Sequence, residues 1–406
     1  MRVLFVNYND FTSASVKQAY WFAEQLVASG HDALLTCHGD PRTPQRENID
    51  RVDRPRLVYH RFLGRRLSPV AVDEIRAFAP TVIHAWNPQV PVALATRIYR
   101  RATGAPFFVH WEDDDWTMRK GIPGRPPHRV VGFKVRRALA PVLPGIGRGS
   151  SNFWVTNWIR RDAAGLDALT PALAEEVELR LQRRCAVLLP VTPADAQNAQ
   201  CAPELSIDTT GKLLVTYTGS IGPASVEDLM IALEAIALLE RAGRQVSFVH
   251  AGVIAARYDT ARMMRKAGVS PGSVAFLGYV PFEQVPGLLA RSDVLIQPGP
   301  PSRFNRLRLP SKLQAYLASG TPTITYAAGF GEMLEDRNEV LKLHSADPAE
   351  LADRLAEIMD DPELARRLAV GARKASDRLF DRKTNTEALL AHYRAALRAA
   401  PSVNGY

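Results

Sequence analysis

The chain has 406 residues, 46% of them hydrophobic, which is more than one core usually serves and enough to build two. A formal net charge of +9 implies affinity for polyanions without saying whether these are nucleic acid, lipid headgroups or nucleotide phosphates. Cys37, Cys185 and Cys201 are odd in number and lack metal-ligand spacing, which speaks against a structural metal site and suits a reducing compartment.

Arg2 to Asn7 reads as a short apolar strand, without the charged and apolar pattern of a signal peptide. No run is long enough to span a bilayer, so a soluble, cytoplasmic protein is expected. Ser15 to Ser29 is predicted to be an amphipathic helix ended by Gly30, and Ala33 to Cys37 the next strand, a βαβ series that implies a parallel sheet. Further strands are predicted at Val58 to Arg61, Thr81 to Ala85, Phe107 to His110, Phe153 to Thr156 and Ala186 to Val191. The turn from Tyr8 to Ser15 lacks Gly-x-Gly-x-x-Gly, which removes the main support for an NAD or FAD site.

From Cys201 to Gly211 the composition turns to Pro, Asp, Thr and Gly, which marks a linker. A second series follows, with strands at Leu213 to Thr218, Val246 to Ala251, Val274 to Leu277, Val294 to Gln297 and Thr323 to Tyr326, and a helix from Val226 to Ala242. The tail from Pro348 to Leu397 is helical and is broken once at Asp361-Pro362. The expected fold class is α/β, with two tandem Rossmann-like doubly wound domains, 1–201 and 212–385, facing across a cleft.

After the strand Val294 to Gln297, the residues Arg303, Arg306, Arg308 and Lys312 place four cations within ten positions, just before a predicted helix that ends at Gly320. The first-turn amides of a helix have no internal partners, so this corner is suited to a diphosphate. A solvated Arg-rich loop is the plainer alternative. Arg308 and Lys312 are the candidate phosphate ligands, and Asn305 is a candidate contact for sugar or base.

The stretch Pro310-Ser311-Lys312-Leu313-Gln314-Ala315-Tyr316-Leu317-Ala318-Ser319-Gly320 resembles the donor-binding signature of the family-4 retaining glycosyltransferases. Within that family it is similar to the amino-sugar transferases of bacterial O-antigen and capsule assembly. Both glutamates of the common family pattern are absent, and Leu307 and Ala315 stand in their places. The resemblance implies a GT-B fold whose final helix, about 386–406, crosses back onto the first domain. It also implies transfer from a nucleotide sugar, here a UDP-sugar, with retention of configuration, no cofactor and no divalent metal. His110 stands where the family carries a histidine facing the donor sugar, and Ser13, Gly219, Ser220, Arg303, Asn305, Arg306, Ser311, Gln314 and Ala315 are the donor-binding candidates. With Arg308 and Lys312, His110 completes the catalytic set.

After His110 the chain reads Trp111, Glu112, Asp113, Asp114, Asp115 and Trp116. Such carboxylates could hold a metal on a diphosphate in a single mixed-sheet glycosyltransferase domain, but the two-domain pattern argues against that here. Binding of acceptor hydroxyls or an amino group by Glu112, Asp113 and Asp115, with Trp111 and Trp116 stacked on a sugar face, is the preferred reading, beside that of an exposed acidic loop.

Thr117 to Arg161 contains no Asp or Glu and ten Lys or Arg, interleaved with apolar residues that include Phe153, Trp154 and Trp158. That pattern suits peripheral attachment to an anionic membrane, where a polyprenol-linked acceptor would lie. Nucleic acid is not expected as a partner, since no zinc ligands, helix-turn-helix or RNA-reading aromatics occur. The alternatives to a transferase are a non-catalytic GT-B partner or scaffold protein, and a GT-B epimerase or phosphorylase.

Overall fold

The computed structural model describes residues 1–9, 13–37, 56–59, 62–63, 66–114, 153–192, 202–299 and 302–399. The chain divides into two units, Met1–Val191 with Asp381–Tyr406, and Thr192–Phe380. The division thus falls upstream of the linker expected from composition.

The first unit is built on β1 (Arg2–Val6), β2 (Asp32–Cys37), β3 (Arg56–Tyr59), the small ribbon β4 (Phe62–Leu63) and β5 (Arg66–Leu67), then β6 (Val82–Trp86), β7 (Phe107–Trp111), β8 (Gly165–Ala168) and β9 (Ala186–Val187). Apart from the antiparallel ribbon the strands form one sheet in the order β3-β2-β1-β6-β7-β8-β9. Its pairings are parallel. The central strands are apolar on both faces because α1 (Ala14–Ala28), α2 (Pro69–Phe78), α3 (Val90–Thr103), α4 (Phe153–Asp162) and α5 (Pro171–Leu181) intervene between them.

Phe153 to Thr156, expected as a strand, begins α4 instead. The local residues favour a strand, but Val155, Trp158 and Ile159 recur at helical spacing and are buried, with Trp158 stacked on Phe107 at 4.4 Å. Packing of that stripe overrides local preference.

The second unit holds β10 (Leu213–Thr218), β11 (Val246–Ala251), β12 (Val274–Gly278), β13 (Val294–Gln297), β14 (Thr323–Tyr326) and β15 (Leu341–Leu343), in the order β12-β11-β10-β13-β14-β15. All five pairings are parallel. Its helices are α6 (Val226–Arg241), α7 (Thr260–Ala267), α8 (Val285–Arg291), α9 (Arg303–Leu307), α10 (Lys312–Ser319), α11 (Pro348–Asp360) and α12 (Pro362–Phe380). The chain then rejoins the first unit as α13 (Arg382–Ala399), where Leu389 and Tyr393 are fully buried.

Both sheets reverse strand order once, between β1 and β6 and between β10 and β13, and a doubly wound sheet binds its ligands beyond the carboxyl ends of the strands at such a point. Among the described residues no helix is long and apolar enough to cross a membrane.

Candidate active site

In the second unit the reversal point lies beyond Thr218 of β10 and Gln297 of β13. Gly219 follows β10 with φ +118°, and a Cβ there would come within 3.1 Å of the Lys312 Nζ. Glycine at this turn therefore lets the Lys312 ammonium lie against the backbone. The same ammonium sits 4.2 Å from the Tyr217 ring centre, a cation–π contact. Lys312 opens α10, and Tyr316 one turn later accepts hydrogen bonds from the Thr218 amide (2.7 Å) and hydroxyl (3.1 Å), which pins that helix to the end of β10.

Arg308 lies between α9 and α10. Its guanidinium stacks over Phe304 at 4.3 Å and donates from Nε to Asn305 Oδ1 at 3.0 Å. Asn305 is buried, close to Gly299 beyond β13, where a Cβ would meet its Nδ2 at 2.8 Å. The cations share one acid, Asp228 in the first turn of α6, which is 1% exposed. Asp228 Oδ2 accepts from the Tyr217 hydroxyl at 3.4 Å and stands 3.9 Å from Arg308 Nη2.

Burial pushes the Asp228 carboxyl up to about 6, against the pull of Lys312, Arg308 and the Tyr217 hydrogen bond. Burial likewise pushes the Lys312 ammonium down to about 7, with Asp228 opposing the shift and Arg308 adding to it. A dianionic phosphate entering here would be met by two partly desolvated cations and would favour the charged form of Lys312.

In the first unit the strand ends carry a polar network. Asn87, just past β6, has φ +59°, a left-handed conformation that Asn tolerates better than most residues. Its Nδ2 donates to Ser15 Oγ at 3.1 Å and to Glu112, while Asn7 Nδ2 donates to the same Ser15 oxygen at 3.1 Å. Glu112 also accepts from Trp86 Nε1 at 2.7 Å.

Beneath this network His110 is fully buried, stacked on Trp86 at 3.9 Å. Its Nδ1 donates to Asp167 Oδ1 at 2.6 Å, while Nε2 has no hydrogen-bond partner. Asp167 Oδ2 stands 3.1 Å from His84 Nε2 and 3.5 Å from His392 Nε2. Burial alone would raise the Asp167 carboxyl, but the three histidines outweigh it and hold the group well below the usual carboxylate range. His84, His110 and Asp167 have donor atoms within 4.8 Å of one another, a spacing a metal could use. As it stands the arrangement is a buried charge cluster, with one short hydrogen bond from His110 to Asp167 and two looser histidine contacts on the other carboxylate oxygen.

The structure brings Gly219, Asn305, Arg308 and Lys312 together at one point. Arg303 and Arg306 are exposed on α9, where a loop was expected, and Ser311 and Ser220 are exposed beside the turn. Gln314 is buried and Ala315 half-buried in α10, and Leu307 is fully buried core. Ser13 serves as the N-cap of α1, accepting from the Val16 amide at 3.3 Å.

The expected stacking of Trp111 on a sugar is corrected: the side chain is 1% exposed, within the core. Asp113 is half-buried, and Asp115 and Trp116 lie outside the described residues. Of the basic segment 117–161 only 153–161 is described, and its Val155, Trp158 and Ile159 are buried inward rather than offered to a membrane. Sequence reading missed Asp228, Asp167, His84, Asn7 and Asn87. Asp228 stands beside Glu227 in the first turn of a largely apolar helix, where acids are ordinary N-terminal residues, so the sequence offered little signal for it.

Residues 212–361 match the family model described as group 1 glycosyl transferases. A 2-deoxystreptamine glucosyltransferase of Streptomyces kanamyceticus is 29% identical over 220 residues, covering 51% of this chain and 54% of that protein. An alpha-D-kanosaminyltransferase of the same organism is 25% identical over 230 residues, covering 54% of this chain and 57% of that protein. The chain spans about half the length of the curated relatives it matches. Among solved structures, HepE of Anabaena in complex with UDP and glucose is similar with a TM-score of 0.67 at 13% identity, over 97% of this chain and 100% of that one. Residues 212–361 are thus similar to the group 1 glycosyl transferases, and the chain has the fold of such solved glycosyltransferase structures, GT-B.

Proposed function

We propose that the protein is a glycosyltransferase that moves a sugar from a nucleoside diphosphate, UDP foremost, to a glycan or lipid-linked saccharide with retention of configuration and without a metal. The observation that carries this reading is the convergence of Lys312, Arg308 and Asn305 on the turn at Gly219, at the strand reversal of the second unit. Support also comes from the HepE structure, which holds UDP and glucose.

In the proposed reaction the bond between the anomeric carbon and the diphosphate oxygen lengthens, and charge builds on the departing phosphate. Lys312 and Arg308 neutralise that charge while the sugar becomes oxocarbenium-like. The departing phosphate oxygen then takes the acceptor hydroxyl proton as the new glycosidic bond forms on the same face. The expected contact of His110 with a substrate hydroxyl is corrected: the side chain is fully buried, its Nε2 included, and with Asp167 on its Nδ1 it supports the strand ends from beneath.

The acceptor reading draws on the carboxylates after β7. They suit hydroxyls or an ammonium group, and the relative named for 2-deoxystreptamine favours a compact aminated acceptor as the alternative to a lipid-linked one. Attachment to an anionic membrane through 117–161 belongs to the lipid-linked version, and flotation with anionic vesicles at low salt tests it. Absence of binding there removes it.

UDP release from a panel of UDP-sugars tests the central step. Lys312→Ala and Arg308→Ala should each lower kcat by about 10²-fold, the usual cost of one charge-stabilising donor, with folding intact by circular dichroism. Unchanged kinetics would reject the assignment. A second reading, a non-catalytic partner protein, is favoured by Leu307 and Ala315 standing where the family pattern has glutamates. It predicts no nucleotide binding at all.

A further inference from the structure

We infer that Asp228 is a positioning residue of the diphosphate site, a buried counter-ion that keeps Lys312 charged and Arg308 in place until a nucleoside diphosphate takes over both cations. The inference rests on the function proposed above and adds a residue to it. Asp228 reaches the site from α6, an element carrying none of the expected ligands.

The geometry assigns the role. Tyr217 links the charges, since its ring lies 4.2 Å from Lys312 Nζ while its hydroxyl donates to Asp228 Oδ2 at 3.4 Å. Arg308 Nη2 stands 3.9 Å from the same oxygen. A Cβ on Gly299 would lie 3.5 Å from Asp228 Oδ1, so the end of β13 closes over the carboxylate's other side. With 1% of its surface exposed, Asp228 has no route to water as a substitute for these partners.

A buried carboxylate held 3.9 Å from a guanidinium is too loosely paired for a closed structural salt bridge. An anion of higher charge entering the site can therefore draw the cations from it. The charged and titratable groups that act on the pair are Tyr217 from β10, Glu227 from α6, Arg308 before α10 and His250 from β11. Tyr217 stays neutral because burial pushes it well above its ordinary range. His250 is pushed down to about 4 by burial and is neutral near pH 7. The Asp228 carboxylate is thus the group that holds up the protonation of Lys312, and its loss should let the ammonium deprotonate at lower pH.

The test is calorimetric titration of UDP into wild type, Asp228→Asn and Asp228→Glu from pH 5.5 to 9. Wild-type affinity should fall as pH rises through the range where Lys312 loses its proton. In Asp228→Asn that fall should begin about one pH unit lower, with affinity at pH 8 reduced by up to about tenfold. Asp228→Glu should restore the wild-type profile. UDP titrates in all three experiments alike, so the difference between profiles belongs to the protein. A residue that only packs would lower Tm and leave the profiles superimposed, and that outcome overturns the inference while leaving the proposed function standing. Failure of the wild type to bind UDP overturns both.

Discussion

At the scale of single residues, the backbone at the reversal point of the second unit admits very little substitution. A Cβ on Gly252, whose φ is +151°, would lie 2.2 Å from the Gly219 carbonyl oxygen. The two glycines thus define the close approach of the β11 exit to the β10 turn. Gly252→Ala should destabilise the protein by about 2–3 kcal/mol through clash and strain, and it should weaken UDP binding by displacing Gly219 from Lys312. Urea denaturation and UDP titration of this one variant check both effects.

His250, which donates from Nε2 to the Gly219 carbonyl at 2.9 Å, provides a pH signature at the same place. Its folded pKa of about 4 lies below the ordinary 6.5, so between those values the unfolded chain binds more protons and stability falls as pH drops. The contribution is whole above about pH 6.5. Its loss should reach about 2–3 kcal/mol by pH 4.5, and His250→Gln should lack that component in guanidinium unfolding at the two pH values.

At the scale of elements, the docking of α13 rests on a buried charge network as well as on apolar packing. The Tyr393 hydroxyl is 2.7 Å from His84 Nδ1, and His392 Nε2 is 3.5 Å from Asp167. Tyr393→Phe should cost about 1–2 kcal/mol, and Asp167→Asn about 3–5 kcal/mol because it leaves histidines without their counter-charge. Equal and small losses in both variants, measured by thermal unfolding, would contradict the network's role.

Asp167 was not legible in sequence. Gly165-Leu166-Asp167-Ala168 is four residues long and carries a carboxylate, so no apolar run marks it as a strand. Only its three histidines, distant in sequence, make burial tolerable. By contrast Val246–Ala251, Val294–Gln297 and Thr323–Tyr326 were read with the bounds they have, since each is an unbroken stretch buried on both faces. Strand propensity misled at α4, where Phe, Trp, Val and Thr begin a helix, and α9 was read as a loop because a single helical turn leaves too short a period to detect.

At the scale of the molecule, two doubly wound sheets that share the order of their first six strands, the first sheet with one strand more, follow from alternating strands and helices, a pattern legible in the sequence apart from β8, β15 and α4. The positions of Arg308, Lys312 and Asn305 could be read from one local stretch because loop, helix start and cations are consecutive there. The acid that balances them lies some eighty positions earlier in the chain, and only folding brings it in. The +9 charge shows affinity for anions but not its site, since Arg303 and Arg306 point to solvent while Lys312 is turned inward.

The most direct measurement is calorimetric binding of UDP, GDP, ADP and dTDP to the purified protein, each with and without a divalent metal. The account predicts micromolar binding of UDP, indifferent to the metal and lost in Lys312→Ala. Silence from all four nucleotides would contradict it, and so would binding that persists undiminished without Lys312.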